Sequence, residues 1–279
     1  MTQKTEWERT CNRFVAFLDI AGFKSLCNLH NEDHNYIYRI LKLTTELCDL
    51  EENGVIYERD SLYIIAISDS IIIITKDDSD ESFSYFTLIL GEVFNFTFCL
   101  NPMNAVASYG NMTVDRENMI IFGNAYNRAY KLCNEMDYYG VLCDESFEAY
   151  IAEKNNKFLD QDSFVKIQSY FKSSDDSGTR IKNYTNLVWF DSLRYNTIAQ
   201  YAYEKCIIED GSSSKTDIVK VYDTIPGSYE QRVDFFIHQH FHRCEHKYRD
   251  KVKRRLNNTI QSIEDMQTQH LLRYRFDRI

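Results

Sequence analysis

Arg13-Phe14-Val15-Ala16-Phe17-Leu18-Asp19-Ile20-Ala21-Gly22-Phe23 is the stretch on which the fold turns. Its apolar run of aromatic and branched residues predicts a buried strand, which delivers the carboxylate of Asp19 at its end and then turns through Gly22. A second carboxylate is presented in much the same way. Two apolar runs, Leu62 to Ile67 and Ile71 to Ile74, flank Ser68-Asp69-Ser70, which reads as the tight turn of a hairpin.

Outward from these two runs the pattern alternates. Leu26, Leu29, Ile37, Ile40, Leu41, Leu47 and Leu50 recur at helical spacing, and Asn53-Gly54 ends that helix. After the hairpin, Asp77-Asp78-Ser79-Asp80 forms an acidic cap for a helix from about Glu81 to Phe98, which Asn101-Pro102 stops. Strands are expected at Met103 to Gly110 and Met119 to Phe122, then a helix from Asn124 to Met136 that starts at Gly123. A strand at Tyr138 to Cys143, a helix at Glu145 to Glu153, a polar loop at Lys172 to Gly178 and a late strand at Arg180 to Phe190 come next. This alternation predicts an α/β layer.

A composition shift near Ser192 opens a mainly helical region, so the expected division is a first domain over residues 10–191 and a helical extension over 192–279. Thr197 to Ile208 reads as helical, and Gly211-Ser212-Ser213-Ser214 reads as a flexible connection to the C-terminal segment. Ser228-Tyr229-Glu230-Gln231 has the form of a capping box, and Val233, Ile237, Phe241, Cys244, Tyr248, Val252, Leu256, Ile260 and Ile263 keep a spacing of three or four. One long helix, or two stacked ones, is expected there, packing on the main domain or on a second subunit. His238, His240, His242 and His246 lack the glutamate of a metalloprotease motif and read as a solvated face. Arg249 to Arg255, interleaved with Asp250, reads as a surface or dimer-contact face.

Composition narrows the classes. With 279 residues, 44% of them hydrophobic, a sizeable core can be filled; 20 Tyr and 18 Phe against 2 Pro and 9 Gly suggest long regular elements. A formal charge of -10 argues against general affinity for nucleic acid, because phosphate backbones reward clustered Lys and Arg. The 8 cysteines are scattered without a Cys-x-x-Cys pair, as expected of reduced core thiols. Met1 to Thr10 are polar, and no apolar run reaches the roughly 18 residues that cross a bilayer, so no stable membrane insertion and a cytoplasmic location are expected. The phosphate-binding loop Gly-x-x-x-x-Gly-Lys-Ser/Thr of ordinary ATPases does not occur.

Two aspartates at the ends of neighbouring strands can hold divalent ions, because hard cations want oxygen ligands and Mg²⁺ favours one or two carboxylates plus substrate phosphates. Main-chain N–H groups of Ala21, Gly22 and Phe23, at a helix start, would be free for phosphate oxygens. Taken singly, Asp19 reads equally as a helix cap and Asp69 as a turn residue. Further along, Phe122-Gly123-Asn124-Ala125-Tyr126-Asn127-Arg128-Ala129-Tyr130-Lys131 places Asn127 and Lys131 one helical turn apart on a shared face. An amide there could orient a ribose and a cation could offset charge on a phosphoryl group. Arg128, next to Asn127, is a candidate substitute for that charge, although it points to another part of the helix.

Together these segments resemble the class III nucleotide cyclase family. Asp19-Ile20-Ala21-Gly22-Phe23 matches its Asp-Ile-x-Gly-Phe strand end. Ser68-Asp69 matches its hairpin Gly-Asp with Ser for Gly, and Gly123, Asn127 and Ala129 match its Gly-x-x-x-Asn-x-Ala-x-Arg helix, with Lys131 at the arginine. The resemblance runs from about Arg13 to Phe190. It implies an α/β (α+β), ferredoxin-like cyclase domain acting as a head-to-tail homodimer with two composite sites. Asp19, Ile20 and Asp69 would serve two Mg²⁺ or Mn²⁺ ions, Ala21, Gly22 and Phe23 the phosphates, while Asn127 and Lys131 reach in from the other subunit. Lysine lacks the planar fork of the family's arginine.

Purine-specific members carry a lysine four residues before the hairpin aspartate and an acidic residue seven before the helix asparagine. Here those positions are Ile65 and Ile120. A pocket built on polar contacts discriminates strongly, so losing both implies that the purine contacts are not made. Retained metal residues with missing purine readers are similar to the pyrimidine cyclases of Pycsar antiphage defence, which make cyclic UMP or cyclic CMP from UTP or CTP for a separate effector to read. Tyr63 and Tyr126 are candidates for contact with the smaller ring, and alternation could equally place either in the core. An adenylate or guanylate cyclase with unconventional base recognition, and a catalytically silent cyclase-like dimerisation or ligand-binding module, stand as alternatives.

Overall fold

A computed structural model of the protein describes residues 7–24, 27, 38, 41, 51–52, 55–56, 61–100, 102–154, 163–173, 178–189 and 249–276. The expected helix up to Leu50 is seen only at Phe23, Lys24, Cys27, Tyr38 and Leu41, which are helical. The Ser192 boundary, the segment 197–208, the glycine-serine connection, the Ser228 capping box and the histidine cluster lie outside the described residues.

β1 (Thr10–Ile20) takes the centre of the main sheet because neither of its faces is polar. Alternation sends Phe14, Ala16, Leu18 and Ile20 into one hydrophobic cluster and Val15 and Phe17 into another on the opposite face. Each fully buried side chain of this size contributes roughly 1.5–3 kcal/mol, which pins the register. A slip by one residue would turn the Asp19 carboxylate into the first cluster.

β2 (Glu51–Glu52) and β3 (Val55–Ile56) form a separate small ladder. β4 (Leu62–Ile67) and β5 (Ser70–Thr75) are the expected hairpin, with a turn of only Ser68 and Asp69, since Ser70 already pairs across to Ile67 and to Asp19. α1 (Asp80–Leu100) begins as the acidic segment suggested. Ser79 Oγ accepts from Ser82 N at 3.1 Å, and Asp77 Oδ1 accepts from the Ser79 and Ser82 hydroxyls at 2.7 and 2.6 Å.

β6 (Met103–Asp115) pairs antiparallel with the whole of β1, and β7 (Ile120–Gly123) folds back on it. α2 (Asn124–Glu135), β8 (Gly140–Cys143) and α3 (Glu145–Glu153) come next. β9 (Phe164–Lys172) and β10 (Thr179–Leu187) complete the sheet. β9 was not expected; Val165-Lys166-Ile167-Gln168 carries its alternation, but the buried Ser169 and Tyr170-Phe171 blur it.

Among the described residues the order is β4-β5-β1-β6-β8-β10-β9, with β7 beside β6. The part β4-β5-β1-β6, with α1 between β5 and β6, is the ferredoxin-like arrangement. The fold is mixed α/β, a sheet flanked by helices. The C-terminal helix α4 (Arg249–Phe276) packs against β9 and adds Leu256, Ile263 and Met266 to the cluster that holds Phe14 and Leu18. No helix among the described residues is long and apolar enough to cross a membrane. Cys11, Cys27, Cys133 and Cys143 are free thiols, the last two buried.

Candidate active site

Asp19 ends β1 on the face that α2 covers, opposite Ser70 on one side and Asn104 on the other. The main-chain amide of Ile20 donates to the carbonyl of Asp69 at 2.8 Å, which locks the hairpin turn to the strand end. Two carboxylates far apart in sequence are thereby gathered at one corner of the sheet. Burial, and next the charge of Asp69, raise the Asp19 carboxyl above its ordinary value, while Arg255 and Lys172 oppose them.

A divalent ion suits this pair, since it replaces the proton that Asp19 holds too tightly and cancels the repulsion from Asp69. No third His, Cys, Asp or Glu joins them among the described residues. That leaves coordination positions for substrate phosphate and water, as Mg²⁺ prefers. Ile20 has its side chain buried in the core, so only its carbonyl could serve a metal.

The phosphate cradle is smaller than expected. Ala21 N–H is not free: it donates to the Pro102 carbonyl at 2.8 Å, because β6 begins directly beside the turn. For Gly22 and Phe23, no main-chain acceptor is found among the described residues. Gly22 sits at φ +70°, where glycine carries no steric cost.

α2 starts at Gly123, whose φ is +153° and where a Cβ would lie 2.6 Å from the Asn111 carbonyl oxygen. The motif glycine therefore has a physical reason. Ala125, Ala129 and Cys133 form the buried stripe of the helix, so Asn127 and Lys131 project outward together. Among the described residues neither one bonds to or pairs with Asp19 or Asp69.

Arg128, the alternative source of charge, is held toward the α3 junction. Its Nε donates to Asp144 Oδ2 at 3.0 Å and its Nη2 to Tyr109 O at 2.6 Å, Ser146 Oγ at 2.9 Å and Ser108 Oγ at 3.2 Å. Asp144 in turn caps α3 by accepting from Phe147 N at 2.9 Å. Nε and Nη2 of Arg128 thereby anchor α2 to the α3 junction.

Of the base-pocket candidates, Ile65 is half-buried opposite Ile72. Ile120 is 49% exposed on β7. Tyr63 packs edge-on to Trp7, 6.3 Å between centroids, beneath the Arg116 guanidinium. Tyr126 meets Phe17 edge-on at 6.1 Å and is half-buried. Neither tyrosine is left wholly free to meet a ring. Ile67, Met119, Phe122 and Tyr130 add exposed apolar surface at the hairpin tip, β7 and α2.

Three residues near Asp19 had no advance signal: Asn104, Lys172 and Arg255. Lys172 Nζ donates to the Asn134 carbonyl, and burial lowers its pKa. The segment Arg249 to Arg255 is not simply a surface face. Arg254 Nε lies 2.7 Å from Asp137 Oδ2, and Arg255 Nη2 donates to Met136 O at 2.9 Å.

No protein-family model matches this chain, nor does any curated protein. Among solved structures it is similar to the catalytic core of a rhodopsin-guanylyl cyclase with converted specificity in complex with ATPαS. That likeness has 13% identity and a TM-score of 0.42, over 66% of this chain and 98% of that one. It is also similar to the adenylyl cyclase CyaB from P. aeruginosa, with 15% identity and a TM-score of 0.38 over 64% and 94% of the two chains. An adenylate/guanylate cyclase/hydrolase from Silicibacter pomeroyi gives 12% identity and a TM-score of 0.38 over 64% and 98%. At these values the likenesses carry nothing about substrate.

Proposed function

We propose that this protein is a metal-dependent pyrimidine nucleotide cyclase, converting UTP or CTP into 3′,5′-cyclic UMP or cyclic CMP and pyrophosphate. The observation that carries the reading is the joining of Asp19 and Asp69 at one corner of the sheet, with Asp19 destabilised as an anion. The three motifs of the family fall on a strand end, a hairpin turn and a helix start, where such chemistry needs them.

Asp19 and Asp69, with the Ile20 carbonyl, would hold two Mg²⁺ or Mn²⁺ ions. When bound, the ions supply a lowered pKa for the ribose 3′-hydroxyl and neutralise charge on the leaving pyrophosphate. Asn127 would orient the ribose, and Lys131 would stand against charge developing at the α-phosphorus. Neither bonds the aspartates within one chain among the described residues, and two copies would supply complementary halves. The exposed Ile67, Ile120, Phe122 and Tyr130 offer apolar surface for such a homodimer.

The pyrimidine reading rests on Ile65 and Ile120, which offer a base edge no hydrogen bond. Such a product suits a cytoplasmic second messenger for antiphage defence, read by a separate effector. Purified protein with each of the four ribonucleoside triphosphates and Mn²⁺ or Mg²⁺, and identification of the products, decides the matter. Cyclic UMP or cyclic CMP in excess over purine products supports it; equal or greater turnover of ATP or GTP overturns the base assignment. No cyclic product from any triphosphate leaves a silent cyclase-like module.

A further inference from the structure

The helix α4 touches the α2–β8 turn with unusual thoroughness. Asp137 is fully buried, and besides Arg254 it faces Arg255, whose Nε stands 3.7 Å from Oδ1. Asn258 Nδ2 donates to the Asp137 carbonyl at 2.9 Å, and Tyr139 N donates to Thr259 Oγ1 at 2.9 Å. The Arg255 guanidinium also lies 5.3 Å from the Tyr139 ring centre. Polar contact of this kind fixes the helix axially as well as sideways, which apolar packing alone does not.

Arg255 holds two things at once. Its Nη2 donates to the carbonyl of Met136, the C-cap of the helix that carries Asn127 and Lys131. With the Asn104 amide turned so that both of its polar atoms are satisfied, the same Nη2 also donates at 3.2 Å to the Asn104 side-chain oxygen, and the amide nitrogen donates to Tyr138 O at 2.9 Å. Asn104 is the residue directly opposite Asp19 in the β1–β6 ladder. One side chain from the far end of the sequence thus joins the strand end bearing a metal carboxylate to the end of the helix bearing the amide and the cation.

We propose that Arg255 is a positioning residue, and that docking of α4 through it sets the geometry of both half-sites that each chain contributes. This rests on the cyclase reading. Displacements near 1 Å in such a constellation cost about 100-fold in rate, so a strut shared by its two halves matters more than its own contacts suggest. A lysine cannot replace it, because one ammonium placed at the Met136 carbonyl and the Asn104 amide leaves the Asp137 carboxylate and the Tyr139 ring, which the planar guanidinium faces at the same time, without their partner.

The test compares Arg255→Met, Arg255→Lys and Leu256→Ala with the wild type. Leu256 is buried in the core on the same helix and makes none of these polar links, so it reports on loosened packing alone. The expected result is a fall in kcat of about 30-fold for Arg255→Met, with KM for the triphosphate within about threefold, and a similar fall for Arg255→Lys. Amide exchange in residues 132–136 should quicken in both Arg255 variants and not in Leu256→Ala. Full activity in Arg255→Lys, or an equal loss of kcat in Leu256→Ala, overturns the proposal.

If the wild type makes no cyclic product, the cyclase reading falls. The proposal is then decided by exchange in residues 132–136 and by Mn²⁺ affinity from electron paramagnetic resonance. Removing a cation near two carboxylates strengthens Mn²⁺ binding if Arg255 acts by charge alone, which would overturn the proposal; weaker binding with faster exchange supports it. Should Arg255→Met fail to fold, Arg255→Lys decides: it keeps the charge, so weaker Mn²⁺ binding with faster exchange supports the proposal, and unchanged binding and exchange overturn it.

Discussion

Ile20 and Asp69 are joined by a 2.8 Å hydrogen bond between main-chain groups, so the carboxylates of Asp19 and Asp69 are placed by backbone rather than by side-chain choice. Substituting either aspartate should therefore remove a ligand without disturbing the corner that presents it.

Asp19→Asn and Asp69→Asn should each lower turnover by about 100-fold or more. Asp19→Asn has a second consequence. A carboxyl raised in the fold contributes stability that is present below its unfolded value and lost as pH rises through its folded one, so ionised Asp19 costs stability at pH 7. In chelator, the variant should melt above the wild type at pH 7, and the gap should close as pH falls toward about 4. Added Mn²⁺ should raise the melting temperature of the wild type alone. A variant that melts lower in chelator at pH 7 would contradict this account.

Composite sites predict complementation. Asp69→Asn and Asn127→Ala homodimers should both be inactive, while mixing them should restore about one working site per heterodimer. Persistent inactivity, once subunit exchange has been shown by mass spectrometry, would place each site within one chain.

Lys131 is exposed on α2 and makes no side-chain bond among the described residues, whereas Arg128 is tied by Nε and Nη2 to Asp144 and the Tyr109 carbonyl. Lys131→Ala should reduce kcat by about 100-fold, and Lys131→Arg should equal or exceed the wild type because a fork contacts a phosphoryl oxygen pair better than a point charge. Steady-state kinetics distinguish these; an unaffected alanine variant would free Lys131 from any catalytic role.

Arg128→Met should destabilise the fold by about 1–2 kcal/mol, since Asp144 keeps its bonds from Ser146, Ser108 and Phe147 and solvent screens part of the pair. Denaturant midpoints measure it. A change in kcat no larger than the stability loss explains would confine Arg128 to anchoring.

Ser68 adopts φ +56°, a conformation that L side chains pay for and glycine does not. Ser68→Gly should stabilise the hairpin by about 1 kcal/mol and Ser68→Val should destabilise it further. A glycine at this point of the hairpin is thus a matter of backbone, and with serine there Asp69 O still accepts from Ile20 N.

Asp19 and Asp69 were legible because each is bracketed by uninterrupted apolar runs, and a hairpin written that plainly leaves little choice of register. That Asn127 and Lys131 share an exposed helix face was legible from helical spacing. What escaped depends on contacts between distant segments: Pro102 taking the Ala21 amide, Arg128 turning to Asp144, and Arg254 and Arg255 finding Asp137 and Met136 across 117 and 119 residues. Periodicity says which face of α4 is apolar but not which buried carboxylate its arginines will meet. β9 escaped for a local reason, because burial on both faces removes the alternation that marks a half-exposed strand.

Phe14 and Met266 share one hydrophobic cluster. That cluster therefore cannot close fully until synthesis has passed Met266, long after β1 has met β5 and β6. Completion of such a core is a late event, set by contacts of long sequence separation. A polypeptide halted near residue 191 would leave apolar surface uncovered where α4 belongs, marking it for proteolysis or aggregation rather than for partial activity.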